Sequence, residues 1–144
     1  MTTPGGDVLA VVGGLMTAFG TIPDLTVLDY ALAGRDVTGN AVIVGEQVAV
    51  EKLPASRAGA MYDAQVTVAF RVLCASGSRL PGPTVQSAAG VLDAAQAAVE
   101  ADPTLGGACD HAVLSPSSDW SSSSDQEGAM TEIAGTVVAR RPAS

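Results

Sequence analysis

The sequence predicts one α+β domain in which two α-helices pack on one face of an antiparallel β-sheet. Two segments, near residues 8–19 and 84–101, repeat apolar residues at the spacing of an amphipathic helix. Between and after them, apolar and polar residues alternate, as they do in strands with one buried face. The resulting order of helix, strands, helix and closing hairpin is typical of an α+β fold.

Size and composition indicate a single domain over residues 1–144 with a core of small side chains. A chain of 144 residues can bury such a core without disulfides or metals. Apolar residues make up 47% of the chain and aromatic residues only 3%. Ala, Val, Leu and Ile must therefore fill the core, and few aromatic side chains remain to line a large ligand pocket.

The first helix is expected to begin after Asp7, as its N-cap, and to end near Gly20 and Pro23. Its apolar residues recur at helical spacing: Val8, Leu9, Val11, Val12, Leu15, Met16 and Phe19. Gly13 and Gly14 interrupt this pattern and cost roughly 1 kcal/mol each relative to alanine. Glycines at these positions would allow the helix to pack closely onto a sheet.

Three strands are expected before the second helix. Residues 24–29 form a short one, and residues 41–53 form a longer one in which Gly45 marks a bulge. The clearest strand is 61–74, whose apolar side chains all fall on one side: Tyr62, Ala64, Val66, Val68, Phe70, Val72 and Cys74. Asp63, Gln65, Thr67 and Arg71 fall on the other, wetter side.

The second helix is expected to start with Thr84 as N-cap and to stop at Asp102-Pro103. Its apolar stripe consists of Val85, Ala88, Ala89, Leu92, Ala95 and Val99. Leu105 is expected to fold back onto the core, and Gly106-Gly107 to turn the chain into the next strand.

Two strands, 109–114 and 129–140, are expected to form a closing hairpin around a long polar loop, 115–128. The loop contains four consecutive serines, 121–124. Cys109, His111 and Val113 would share one face of the first strand.

No residue pattern indicates catalysis, a cofactor or a metal site. His111 and Cys109 would project from one strand about 7 Å apart, too far for a nucleophile–base hydrogen bond. The spacing of Cys74 and Cys109 matches no zinc or redox motif, so we expect two reduced, partly buried thiols. A weak calcium site built from Asp119, Asp125 and Glu127 is the alternative, although their spacing matches no EF-hand.

The expected contacts with other molecules lie in two exposed loops, 54–60 and 115–128. Trp120 either folds over the sheet edge to anchor its loop or inserts into a partner protein, where Trp is a frequent hot-spot residue. Arg57 is a candidate for an intersubunit ion pair. Asp119 and Asp125 are further candidate contact residues in the serine-rich loop.

Charge and hydropathy exclude several partners. The net charge of −8 opposes specific binding of nucleic-acid phosphates, which requires clustered Lys and Arg. No apolar run reaches the roughly 18 residues that a membrane-spanning helix needs. No basic residue precedes the first apolar stretch, as a secretory signal would require, so we expect the chain to be cytosolic when made.

The second half of the chain resembles a family of phage proteins. The run 70–77 (FRVLCASG) leads into the helix 85–101, which closes with ADPTLGG at 101–107, and the hairpin then ends in IAGTVVAR at 133–140. This succession resembles the minor tail or tail-terminator proteins of long-tailed, siphovirus-type phages, especially those of actinobacterial hosts. The resemblance covers residues 61–140, whereas residues 1–60 match mainly in the order of elements.

The resemblance implies a non-enzymatic virion protein with a small α+β domain. Such proteins form a ring, usually a hexamer, which caps the tail tube, ends its polymerisation and offers a docking surface to the head connector. Genomic DNA would pass through the ring without specific binding, and an acidic lumen would repel its backbone. No catalytic residue carries over from the family.

Three alternatives stay open at this point. The chain could be another head–tail connector component, such as a head-closure or tail-completion factor. It could be a monomeric ligand-binding α+β domain. It could also be a small enzyme that uses Cys74, Cys109 or His111.

Overall fold

The structure is a computed structural model, and it describes residues 4–29, 39–54, 62–76, 82–125 and 128–141. These residues form two helices and five strands. In chain order they are α1 (Pro4–Phe19), β1 (Leu25–Asp29), β2 (Asn40–Pro54), β3 (Tyr62–Ser76), α2 (Gly82–Ala101), β4 (His111–Asp125) and β5 (Gly128–Arg141).

The described strands form one sheet in the order β1-β2-β3-β5-β4. The pairs β2–β3, β3–β5 and β5–β4 are antiparallel, and both helices pack on the same face of this sheet. The predicted α+β class is therefore confirmed. The sheet departs from a purely antiparallel one at its edge, because β1 pairs with β2 in parallel, from Leu25 opposite Asn40 to Asp29 opposite Val44.

The core lies between the helices and one face of the sheet. Alternate residues of β2, β3 and β5 point into it, as the sequence pattern predicts. Its largest fully buried side chains are Phe19, Phe70, Leu15, Ile133 and Val11. Ile43 is also fully buried, but it lies on the other face of the sheet, level with Arg71. Phe19 of α1 meets Phe70 of β3 edge to face, with ring centroids 6.0 Å apart, so the two largest core residues join the first helix to the central strand.

Two bulges interrupt the ladders without turning the strands over. Val44 pairs with Phe70 and Val48 with Val68, so three residues of β2 stand opposite one residue of β3. Because two residues are inserted, the side chains before and after the bulge still face the same side. Gly45 has a φ of 91°, which confirms the predicted bulge at this glycine. A second such bulge lies in β4 between Pro116 and Trp120 and was not predicted.

Both expected N-caps are wrong. α1 begins at Pro4 and α2 at Gly82, so Asp7 and Thr84 lie inside the first turns of their helices. Both side chains are buried there because they bind the last strand. A carboxylate oxygen of Asp7 accepts a 2.7 Å hydrogen bond from Arg141 Nε, and Thr84 Oγ1 lies 2.8 Å from Thr131 Oγ1.

The turn that follows α2 confirms the predicted helix stop. Asp102 accepts hydrogen bonds from Thr104 Oγ1 at 2.7 Å and from the Gly106 amide at 2.8 Å, and these bonds lower the pKa of its carboxyl group. Leu105 is buried, as expected, with a φ of 51°. Gly106 and Gly107 follow with φ of 72° and 91°, the left-handed region that glycine enters without a steric penalty.

This turn also explains one of the two glycines of α1. A Cβ atom added to Gly14 would lie 2.7 Å from the carbonyl oxygen of Leu105 and 2.9 Å from its Cβ. A Cβ added to Gly13 would meet nothing within 4 Å. Gly14 therefore allows α1 to pack closely against the turn after α2, and not onto the sheet as expected.

The prediction of a long serine-rich loop at 115–128 is wrong. β4 runs without a long break from His111 to Asp125, and Ser121–Ser124 pair with Glu132–Ala129 of β5. Only residues 126 and 127 separate the strands, and they lie outside the described residues. The serines have little strand propensity of their own, but the β5 backbone offers hydrogen-bonding partners along its whole length, and Ser122 Oγ also lies 2.9 Å from Thr131 Oγ1.

His111 and Val113 share one face of β4, as expected, but Cys109 does not belong to the strand. Ala112 and Leu114 point into the core, whereas His111 and Val113 are exposed. Cys109 is buried ahead of the strand, where its thiol lies 3.5 Å from the carbonyl oxygen of Pro103. The burial of Cys109 thus results from the turn after α2 and not from the alternation of a strand.

Candidate interaction surfaces

The two thiols lie in the protein interior. Burial raises the pKa of Cys74 to about 11. Burial also raises the pKa of Cys109, and the nearby positive charge of Arg141 offsets only part of this effect. Because the thiolate is the reactive form of cysteine, neither side chain has the low pKa and exposure of a nucleophile. His111 is exposed on the opposite face of β4 from the buried Ala112.

Among the described residues, no group of three or more His, Cys, Asp or Glu side chains is placed to hold a metal ion. Within the same part of the chain, neither helix is long and apolar enough to cross a membrane.

The predicted contact residues are not brought together into one site. Arg57 lies outside the described residues, as does Glu127 of the alternative calcium site. Asp119 lies in the bulge of β4 and Asp125 is the last residue of that strand, so neither belongs to a loop of the expected kind.

Trp120 lies on β4, the edge strand of the sheet, directly opposite Ile133 of β5. Its residue is 43% exposed. Trp120 thus lies in a paired strand and not in a loop, and a substantial part of its apolar surface is open to solvent.

The face of the sheet opposite the helices carries an uncharged central area, which we call the open sheet face. It consists of neighbouring side chains from four strands: Ala49, Thr67, Ala69, Val113, Ser115, Ala134, Thr136 and Val138. Ala49, Val113, Ser115 and Ala134 are exposed. None of these eight side chains is charged, although the chain as a whole has a net charge of −8.

Ion pairs border the open sheet face at both ends. At one end, Arg71 binds Glu46 and, at 3.1 Å, Glu132. At the other end, Arg140 binds the buried carboxylate of Asp63 at 2.9 Å. Arg140 and Asp63 neutralise each other, whereas Arg71 faces two carboxylates and the exposed Glu51 lies next to Ala49 on the same face, so the border is net negative and the charge-free area is confined to the centre.

The outer side of α1 is uncharged as well. Exposed residues recur along it every four positions, at Gly5, Leu9, Gly13 and Thr17, and Gly6 beside Gly5 is exposed as well. The only charged residue of the helix, Asp7, is buried against Arg141, whose guanidinium also donates to the Ala108 carbonyl oxygen. We call this stripe the α1 outer stripe.

Leu9 was predicted within the apolar pattern of the first helix and Val113 on the same strand face as His111, and the structure leaves both side chains exposed. Leu9 is 75% exposed and Val113 is 50% exposed, more than any other large apolar side chain in the described part of the chain. Leu9 shares a helical stripe with two glycines and a threonine, a signal that separates it from Val8, Val11 and Leu15 and that was present in the sequence.

A comparison with known protein families found none that matches the chain, and a comparison with curated proteins found no relative. Function must therefore be inferred from the fold and from these surfaces.

Proposed function

We propose that the chain is a structural protein of a long-tailed phage, a tail terminator. Copies of the chain would form a ring, six in number by the family resemblance, which caps the tail tube, ends its polymerisation and receives the head connector. In the virion the ring would lie at the head–tail junction. During assembly its subunits would be in the host cytoplasm.

One observation carries the proposal beyond the resemblance over residues 61–140. The most exposed apolar side chains, Leu9 and Val113, lie on broad uncharged surfaces, and the thiols are buried. Uncharged surfaces let chains with a net charge of −8 approach one another, and the two exposed apolar side chains would be buried in such contacts. A virion part that contacts its own copies, a tube and a connector needs several such surfaces on a small domain.

The charge of α2 suits a ring through which DNA moves. The charged residues of this helix are Asp93 and Glu100, both exposed, and it has no basic residue. A surface of that kind facing the lumen would repel the phosphate backbone and keep the genome from adhering. If so, D93K combined with E100K should create salt-sensitive DNA binding in the assembled ring, measurable by fluorescence anisotropy.

The test of the proposed function is tube capping. Tail tubes purified from the phage that encodes the chain would be mixed with the protein and imaged by negative stain. The proposal predicts extra density at one end of the tubes and no further growth when tube protein is added. Unchanged tube growth with an excess of the protein would refute it.

The neighbouring function is a head-closure or tail-completion factor. Such a protein would bind the connector of filled heads in the absence of tails. Binding to heads alone, with no density on isolated tubes, would favour this alternative.

A further inference from the structure

We propose that the open sheet face binds the α1 outer stripe of a second copy of this chain, so that neighbouring subunits pack helix to sheet, head to tail. This inference rests on the proposed function in one respect, because it names the contact through which the ring would close.

The two surfaces point in opposite directions on one subunit. α1 packs on one face of the sheet with Val11, Leu15 and Phe19, so its outer stripe faces away from the sheet. The open sheet face lies on the far side of the same sheet. Contact between two different surfaces of identical chains is heterologous, and it closes into a ring only when each contact also rotates the next subunit; without that rotation it continues as a filament.

Charge favours a second copy as the occupant. Chains with a net charge of −8 repel one another unless they meet where charge is absent or complementary. The α1 outer stripe has no exposed charge, and the centre of the open sheet face has none either.

Shape is compatible with this contact. α1 has 16 residues, which corresponds to a length of about 24 Å. The open sheet face is formed by four neighbouring strands, β2, β3, β5 and β4, and is about 19 Å wide at the usual strand spacing. The face presents mostly Ala, Ser and Thr, and the stripe presents two glycines, so the helix backbone can approach the sheet closely while Leu9 and Val113 become buried.

The size of the contact predicts weak pairwise binding. A helix of this length covers a footprint of roughly 240 Å² of the sheet, given a helix diameter of about 10 Å. A stable interface buries about 800 Å² per partner. Pairs should therefore be populated at high protein concentration and dissociate on dilution, and closure of the ring should stabilise the assembly further.

Paired charge substitutions test the contact. Leu9→Glu places a charge on the stripe and Val113→Glu places one on the open sheet face. Both positions are exposed, so the fold should be retained, as circular dichroism and thermal unfolding would verify. Gln86→Glu is the matched control, because it adds the same charge at an exposed position of α2.

In sedimentation velocity, the wild type should associate reversibly as concentration rises. L9E and V113E should each raise the protein concentration at which half of the chains are associated by at least tenfold. Q86E should leave this concentration within twofold of the wild-type value. An equimolar mixture of L9E and V113E should give a 1:1 dimer of about 29 kDa, from the 14.3 kDa chain mass, and nothing larger. This dimer forms because one variant keeps an intact stripe and the other an intact sheet face.

Each other result overturns the inference. If both variants assemble at the same concentration as the wild type, the proposed contact is refuted, whereas the ring of the proposed function is not. Loss of assembly in L9E alone would indicate a symmetric contact between stripes. A mixture that stays monomeric would exclude the heterologous pairing, and a wild type that is monomeric at every concentration would remove both the contact and the untemplated ring.

Discussion

Replacing Gly14 by alanine tests the packing of α1 against the turn after α2. The added Cβ would lie 2.7 Å from the Leu105 carbonyl oxygen, 2.9 Å from the Leu105 Cβ and 3.3 Å from the Ala108 Cβ. These neighbours are backbone or the first atom of a side chain, so no rotamer change relieves the overlap. The helix and the turn must separate, and overpacking of this kind costs about 1–3 kcal/mol.

Gly13→Ala is the matched control in the same helix. Nothing lies within 4 Å of a Cβ at this exposed position, so alanine gains helix propensity without a clash. We expect Gly13→Ala to stabilise the protein by about 0.5–1 kcal/mol. At Gly14 the same gain offsets only part of the overlap, which leaves a net loss of about 1–2 kcal/mol.

The free energy of unfolding of both variants would be measured by urea titration at a concentration where the chain is monomeric. Because the gain in helix propensity is the same in both, the two variants should differ by the overlap cost of about 1–3 kcal/mol, with similar slopes against denaturant. Equal or greater stability of Gly14→Ala than of Gly13→Ala would show that α1 does not pack on the turn as described.

Three further predictions concern the core and the last strand. Gly135→Ala would place a Cβ 2.5 Å from Phe70 Cζ, so it should lower the free energy of unfolding by about 2 kcal/mol. Adding Phe70→Leu to this variant should recover part of the loss, and strictly additive losses in urea unfolding would argue against the contact. Asp7→Ala should cost about 3 kcal/mol because it leaves the Arg141 guanidinium, 17% exposed, without its carboxylate, and a loss below 1 kcal/mol in the same assay would contradict that role. Burial raises the pKa of Cys74 from 9.0 to about 11, so the folded state holds this proton more tightly than the unfolded state does. Stability should therefore fall as pH rises from 9 to 11, and Cys74→Ala should show a shallower decline, whereas identical pH profiles would refute the burial effect.

The elements with strong periodicity could be predicted from the sequence. In β3 the alternation of Val66, Val68, Phe70 and Val72 with polar residues identified both the strand and its buried face. The stop of α2 could be predicted because Pro103 and the two glycines after Leu105 restrict the backbone locally. In both cases the deciding interactions lie within a few residues of one another.

The second half of β4 could not be predicted, because its pairing partner decides its structure. Ser121–Ser124 favour a loop by local propensity, and only the ladder with β5 makes them a strand. The N-cap assignments of Asp7 and Thr84 failed for a related reason. Each side chain has a partner on β5, Arg141 or Thr131, more than 45 residues away in sequence.

The candidate contact residues illustrate the same limit. Trp120 was expected in a loop because serines surround it, and it lies in a paired strand opposite Ile133. Leu9 was expected in the core because Val8, Val11 and Val12 surround it, and the helical angle turns it outward. A side chain at the margin of an apolar stripe cannot be assigned to the core or the surface until the packing of the helix is known.

The most direct test of ring formation is native mass spectrometry of the concentrated protein, with negative-stain images of the same sample. The proposed function predicts a closed oligomer of about six 14.3 kDa chains, near 86 kDa, seen as rings with a central pore. A single species at the monomer mass across all concentrations, with no rings in the images, would contradict self-assembly of the chain into a ring.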